Sequence, residues 1–300
     1  MIKKLYDFRQ VNLPDALLQA EVTQEEMAQE LHMNAARFTE IVAVEGPVQT
    51  GDVVTLEFAD AKAEGGMRRI YANVGKGFND EEELVPGHCL GDRVAVRYAG
   101  QDVEAAICAI KRPVVPVMTD ALAQQLGFDG VSDLATLDDH IFAKLAEGQR
   151  KRKFRGILGL VSKAVMEHTE FAPVQEEDPW FAALFGVKMS RAQKLAEQEG
   201  KTVDEVLPMA LRMPDKTPEQ CLEALKAMCI DRMHQGALGR HYAQENGIVY
   251  TEQESIDSYR EYGVEPDHHT VIDDMVGKYV DYLNQHMYTY YAPLIQVKRP

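Results

Sequence analysis

Few residues of this chain combine the types and spacing that chemistry requires. His268 and His269 are adjacent, so on a helix their side chains diverge by about 100° and cannot readily share a metal ion. His234 and His241 could share a helix face, but no cysteine or carboxylate completes a ligand set. Gly75-Lys76-Gly77 lacks the glycine spacing of a phosphate-binding P-loop, which favours a turn. The sequence therefore predicts no metal site and no cofactor.

The cysteines also point away from catalysis. The chain has four, Cys89, Cys108, Cys221 and Cys229, and no CxxC pair, a pattern typical of reduced thiols in a cytoplasmic protein. Cys221 and Cys229 are about two helical turns apart, which predicts two small buried apolar side chains. His88 precedes Cys89, but no residue pattern supplies the base and orienting group of a cysteine nucleophile.

Charge and composition restrict the class of partner. The 300 residues carry a formal net charge of −16, which repels phosphate backbones and anionic lipid. The dense basic run 150–155 falls within a predicted helix, so its charges spread around the helix axis and favour a solvated face. No apolar run is long enough to cross a bilayer, and no apolar leader follows the first lysines. We therefore expect a cytoplasmic protein without nucleic-acid or membrane partners.

Local patterns predict a helix followed by a small β module. Thr23 and Glu26 have the spacing of a capping box, which predicts a helix over 24–38. After Gly46-Pro47 the chain turns to short β-rich runs that end at glycines. Strands are expected over 53–58, 69–74, 93–98 and 103–112, with a hairpin turn at 99–102.

Beyond Pro113 the apolar residues recur at spacings of three and four, which predicts helices almost to the end of the chain. The fold class is therefore α+β, with a small antiparallel β domain and an extended all-α domain. The expected domains are an N-terminal segment with its helix (1–45), the β domain (46–113) and the helical domain (114–300). Helices are expected over 117–127, 132–169, 176–186, 189–212, 217–246, 251–262 and 268–291.

This order of elements resembles bacterial trigger factor over residues 20–300. Glu21 to Phe58 is similar to the helix and first strand that open that family's FKBP-like isomerase domain, and 74–78 with 86–92 is similar to a glycine-bounded segment and strand of that domain. Residues 113–123 resemble the entry to its helical domain, and 280–297 resemble its last helix and tail. The resemblance implies an FKBP-like isomerase domain joined to a helical chaperone domain.

Two departures from the family pattern change what the resemblance implies. The Gly-Phe-Arg-x-Gly-Lys loop of the family's ribosome-docking domain does not occur, and too few residues precede the β module to hold that domain. Direct docking on the ribosome is therefore not expected. In the isomerase pocket, Ala63 and Ala105 stand where the family has aromatic side chains, and the acidic run 80–83 replaces an apolar one.

The remaining aromatic side chains predict a reduced isomerase cleft. An FKBP cleft favours the twisted X–Pro amide, which normally faces a barrier of about 18–20 kcal/mol, and it needs several aromatic walls to do so. Only Phe58, Tyr71, Phe78 and Tyr98 could still line such a cleft here. We expect weak or vestigial isomerase activity. The alternative is that Phe58 and Tyr71 are core residues of a small sheet.

The helical half contains the residues expected to bind clients. Methionine is flexible and polarisable, so it suits apolar surfaces that accept many partners. The alternative for each residue is a place in the buried core. With the resemblance, the pattern predicts an ATP-independent holdase for unfolded or nascent polypeptides; an active prolyl isomerase and a dedicated assembly protein are the alternatives. The candidate client-binding residues are Trp180, Phe181, Phe185, Met209, Met213 and Tyr290.

Overall fold

The computed structural model describes residues 1–76 and 85–300. In chain order the strands are β1 (Ile2–Lys4), β2 (Gln19–Glu21), β3 (Glu40–Ala43), β4 (Val53–Ala59), β5 (Met67–Asn73), β6 (Arg93–Tyr98), β7 (Gln101–Val114), β8 (Glu170–Phe171) and β9 (Gln296–Lys298). The helices are α1 (Gln24–Ala35), α2 (Asp120–Gln125), α3 (Leu134–His168), α4 (Pro179–Glu199), α5 (Val203–Ala210), α6 (Pro218–Glu245), α7 (Glu252–Glu261) and α8 (His268–Tyr291). Among the residues described, no helix is long and apolar enough to cross a bilayer.

The chain forms two compact units that differ from the expected domain boundaries. The helical unit contains Met1–Glu21 and Ala146–Lys298, and the sheet unit contains Val22–Leu145 and Arg299–Pro300. Helix α3 contributes residues to both units. The expected division at 45/46 and 113/114 remains a prediction about folding domains, because compactness alone does not define them.

The sheet unit contains the antiparallel module that the sequence predicts. Strands β3, β7, β4 and β5 lie in that order, and β6 pairs with β7. Side chains alternate along β4, so that Val54, Leu56 and Phe58 lie on one face of the sheet and are buried in its core. Buried Asp52 accepts two hydrogen bonds from Arg112, at 2.7 and 2.8 Å, which ties the start of β4 to the end of β7.

Helix α1 begins where the sequence predicts. The Thr23 hydroxyl accepts from the Glu26 amide, and the Glu26 carboxylate accepts from the Thr23 amide, which confirms the capping box. A separate apolar cluster joins α1 to α2 and to the first turns of α3 through Ala35, Ala123 and Leu137.

Helices α6 and α8 form the centre of the helical unit. They approach so closely at Gly239 that a Cβ atom there would lie 1.9 Å from the carbonyl oxygen of Tyr279. Only glycine fits this crossing without moving one of the helices. Val276 and Met233 are buried in the same helical core.

The first 21 residues belong to the helical unit. Phe8 has no exposed surface, and its backbone carbonyl accepts a 2.6 Å hydrogen bond from the hydroxyl of Tyr291 on α8. Strand β1 pairs with β8, and β2 pairs in parallel with β9 near the end of the chain. The sequence patterns predicted no regular structure for this segment, because three-residue strands leave no period to detect.

The expected break between helices at 186–189 is wrong. Helix α4 runs unbroken to Glu199 and ends at Gly200, which has the left-handed backbone (φ 63°) of a helix C-terminus. Gly186 lies inside the helix, and a Cβ atom there would come within 2.6 Å of the His269 ring. This glycine therefore provides room for packing and does not end the helix.

Candidate functional site

The six candidate client-binding residues differ in how much of each side chain reaches solvent. Phe181 is only 5% exposed and belongs to the helical core, as its core alternative predicts. Trp180, Phe185 and Met213 are half-buried. Met209 is 59% exposed and Tyr290 is 39% exposed, so both present apolar surface to solvent.

Trp180 lies at the first turn of α4. The Asp178 carboxylate caps this helix by accepting from the Trp180 amide at 2.9 Å, and Pro179 occupies the first turn, where its missing N–H costs nothing. These two residues fix the backbone of Trp180. The indole stacks near Tyr279 of α8, with 6.3 Å between ring centroids.

A pocket of about 480 Å³ opens beside this indole. One wall of the pocket is formed by Ala237, Arg240, His241 and Gln244 of α6. These residues recur at spacings of three and four, so they lie on one face of that helix. The guanidinium of Arg240 lies 5.7 Å from the centroid of the Trp180 ring, within cation–π range. The lining residues are Met1, Ile2, Asp178, Pro179, Trp180, Ala237, Arg240, His241 and Gln244.

Of the candidate isomerase residues that the structure describes, two lie together. The rings of Phe58 and Tyr98 are 5.1 Å apart; Phe58 is buried and Tyr98 is half-buried. Tyr71 pairs with Thr55 in the register of β5 and β4, so it projects from the face opposite Phe58 and is 67% exposed. Tyr71 is therefore neither a cleft wall with Phe58 nor a core residue. Phe78 lies outside the described residues.

Two charged residues beside the aromatic pair were missed by the sequence reasoning. The Arg68 guanidinium lies 5.5 Å from the Tyr98 ring centroid and forms an ion pair with Asp60. Hydrogen bonds from the Lys62 amide and from Arg68 lower the pKa of Asp60, so this carboxylate stays charged. The pairing of β4 with β5 could have predicted that Arg68 lies beside the aromatic pair, because Arg68 stands directly opposite Phe58 in the strand register.

The thiols offer no reactive centre in the helical unit. Cys221 and Cys229 are both buried, which confirms the expected small apolar role. Burial raises the pKa of the Cys229 thiol to about 11, so it remains protonated at neutral pH. Within the described residues, no group of three or more histidine, cysteine or acidic side chains could hold a metal ion.

Comparison with known proteins places this chain beside trigger factor. It is 24% identical over 222 residues to trigger factor of Synechococcus sp. (strain JA-3-3Ab), a match that covers 66% of this chain and 38% of that protein. The chain is thus a trigger factor-like protein, as its motifs predict. The matched part is less than two fifths of that relative's length. No protein-family model matches the chain.

A solved structure provides a second comparison. That structure comes from work on promiscuous substrate recognition in the folding and assembly activities of the trigger factor chaperone. The superposition covers 98% of this chain and 73% of that one, with 14% sequence identity and a TM-score of 0.46.

Proposed function

We propose that this trigger factor-like chain is an ATP-independent chaperone that holds unfolded or nascent polypeptides on its helical unit. The observation that carries the proposal is the set of aromatic and methionine side chains that this unit leaves open to solvent. Met209 and Tyr290 are exposed, and Trp180 borders a pocket. The relative with which the chain aligns is a trigger factor, which supports the same function.

Adaptable apolar side chains suit a holdase. A holdase must bind many unrelated segments, each weakly, so it needs apolar contacts that can change shape. Methionine has three rotatable bonds and a polarisable sulfur, and tyrosine offers apolar area with a polar edge. Binding of this kind draws on burial of apolar surface and requires no nucleotide.

The proposal includes a cytoplasmic location, no nucleic-acid or membrane partner, and no direct docking on the ribosome by these residues. The net charge of −16 supports the exclusion of polyanionic partners, because such a surface repels phosphate. The chain is also proposed to lack cofactors.

Prolyl isomerase activity is the second candidate function. It is favoured by one observation, the contact of Phe58 and Tyr98 beside the Arg68–Asp60 ion pair. Phe58 is only 3% exposed, which leaves little aromatic surface for a prolyl ring to contact. We therefore propose that any isomerase activity is weak and that holding clients is the main function.

The test is direct binding of a permanently unfolded polypeptide. A reduced and carboxymethylated protein carrying a fluorescent label is titrated with this chain, without nucleotide, and its anisotropy is followed. We expect saturable binding that the double substitution Met209→Ser and Tyr290→Ser weakens about fivefold or more, since the loss of about 1 kcal/mol of apolar contact is about a fivefold change in affinity.

A matched control comes from the sheet unit. Met33 is 60% exposed and Tyr71 is 67% exposed, so Met33→Ser with Tyr71→Ser removes the same residue types at equal or greater exposure. This control should leave affinity unchanged. No binding by the wild-type chain, or equal weakening by both double variants, would contradict the proposal.

A further inference from the structure

We propose that the pocket beside Trp180 binds a carboxylate of the client polypeptide together with the apolar side chain next to it. This inference rests on the proposed chaperone function. Within that function, the pocket is a subsite that prefers client segments with a carboxylate beside an apolar side chain. Its volume of about 480 Å³ lies in the range of pockets that take small ligands or a few residues of a peptide.

Arg240 provides the charge that a carboxylate requires. It is the only lining side chain with a permanent positive charge, and it forms no ion pair with any described residue. Its planar fork can donate two parallel hydrogen bonds to a carboxylate. Because the guanidinium already lies over the Trp180 ring, it is held beside the pocket.

The other polar groups of the lining limit the ligand to one negative charge. Nε2 of His241 lies 3.3 Å from the Glu245 carboxylate, so this imidazole is already engaged. The Asp178 carboxylate stays in the lining, where it caps α4. A phosphate would bring about two negative charges to a lining whose charged side chains are Arg240 and Asp178, whereas a carboxylate brings one.

The remaining walls accept an apolar side chain. Trp180, Ala237 and Ile2 contribute aromatic and aliphatic surface beside the guanidinium. Gln244 adds an amide that can pair with a peptide group. A carboxylate next to a leucine-sized side chain satisfies both halves of the pocket at once. Either the end of a polypeptide or an acidic residue beside an apolar one has this chemistry.

The test uses the one tryptophan of the chain as its probe. Because Trp180 is the sole tryptophan, intrinsic fluorescence of the full-length protein reports on this pocket without a label. Three N-acetylated glycine–serine peptides are titrated: one ends in leucine with a free carboxylate, one ends in leucine amide, and one is amidated but carries an internal Leu-Glu pair.

The comparison of these peptides decides the inference. We expect saturable change in Trp180 emission with at least one carboxylate peptide, and binding about tenfold or more weaker for the leucine amide. Which carboxylate peptide binds identifies the source, a chain end or an acidic side chain. If the amide binds as tightly as both carboxylate peptides, or if no peptide changes the emission, the inference is overturned.

Substitutions at Arg240 provide the second readout. Arg240→Gln should remove the preference for the carboxylate, while Arg240→Lys keeps the charge without the fork and should give intermediate affinity. Arg97→Gln, in the sheet unit, is the matched control and should have no effect. If the unfolded polypeptide still binds while the peptides show no carboxylate preference, only this subsite is refuted and the chaperone function stands.

Discussion

Phe8→Ala should strongly destabilise the helical unit. Phe8 has no exposed surface, and four rings surround it at centroid distances of 5.1 to 6.2 Å: Tyr242, His286, Tyr290 and Tyr291. Truncation of a fully buried phenylalanine leaves a cavity and costs about 3–5 kcal/mol. With a urea slope of about 2–3 kcal/mol/M, the unfolding midpoint should fall by about 1–2.5 M.

The assay is urea unfolding followed by Trp180 fluorescence, because this single tryptophan lies in the same unit as Phe8. Two controls separate volume from hydrogen bonding. Phe8→Leu keeps most of the volume and should cost about 1.5 kcal/mol or less. Tyr291→Phe removes the 2.6 Å hydrogen bond to the Phe8 carbonyl and should cost about 1 kcal/mol. A loss below about 1 kcal/mol for Phe8→Ala would refute the view that residues 1–21 are an integral part of this unit.

Three further predictions use similar measurements. Gly239→Ala should cost about 2 kcal/mol or more in the same urea assay, because its Cβ would meet the Tyr279 carbonyl, whereas Gly159→Ala, with open space around it, should be neutral or stabilising. Burial lowers the pKa of His234, so the unfolded chain takes up a proton first as pH falls below about 6.5. The free energy of unfolding should therefore decrease from about pH 7.5 to about pH 5.5, and it should decrease less in His234→Phe. An equal decrease in both proteins would contradict this prediction. In a prolyl-peptide assay, the chain should accelerate isomerisation only weakly and Phe58→Ala should abolish it; strong acceleration would show a working cleft.

The sequence patterns predicted local structure well where a local interaction decides it. The Thr23–Glu26 capping box and strand β6 follow from neighbouring residues, and both occur as expected. The continuation of α4 past residue 186 was not predicted, because the role of Gly186 depends on His269, more than 80 positions later in the chain, which packs against it. A glycine that ends a helix and a glycine that makes room for another helix look alike in one sequence.

The candidate sites were less predictable for the same reason. Trp180 was predicted as a candidate client-binding residue, but its contact with Arg240 arises only when α4 packs near α6. The spacing of sixty residues between them carries no signal. By contrast, the separation of Tyr71 from Phe58 follows from the hairpin register, which could have been counted from the turn between β4 and β5.

The central claim is that this chain holds unfolded polypeptide without nucleotide. Its most direct test is light scattering from a chemically denatured protein diluted into buffer with and without this chain. We predict that one equivalent of the chain suppresses aggregation with no ATP present, and that Met209→Ser with Tyr290→Ser reduces the suppression. Undiminished aggregation at equimolar and higher amounts of folded wild-type chain would contradict the account.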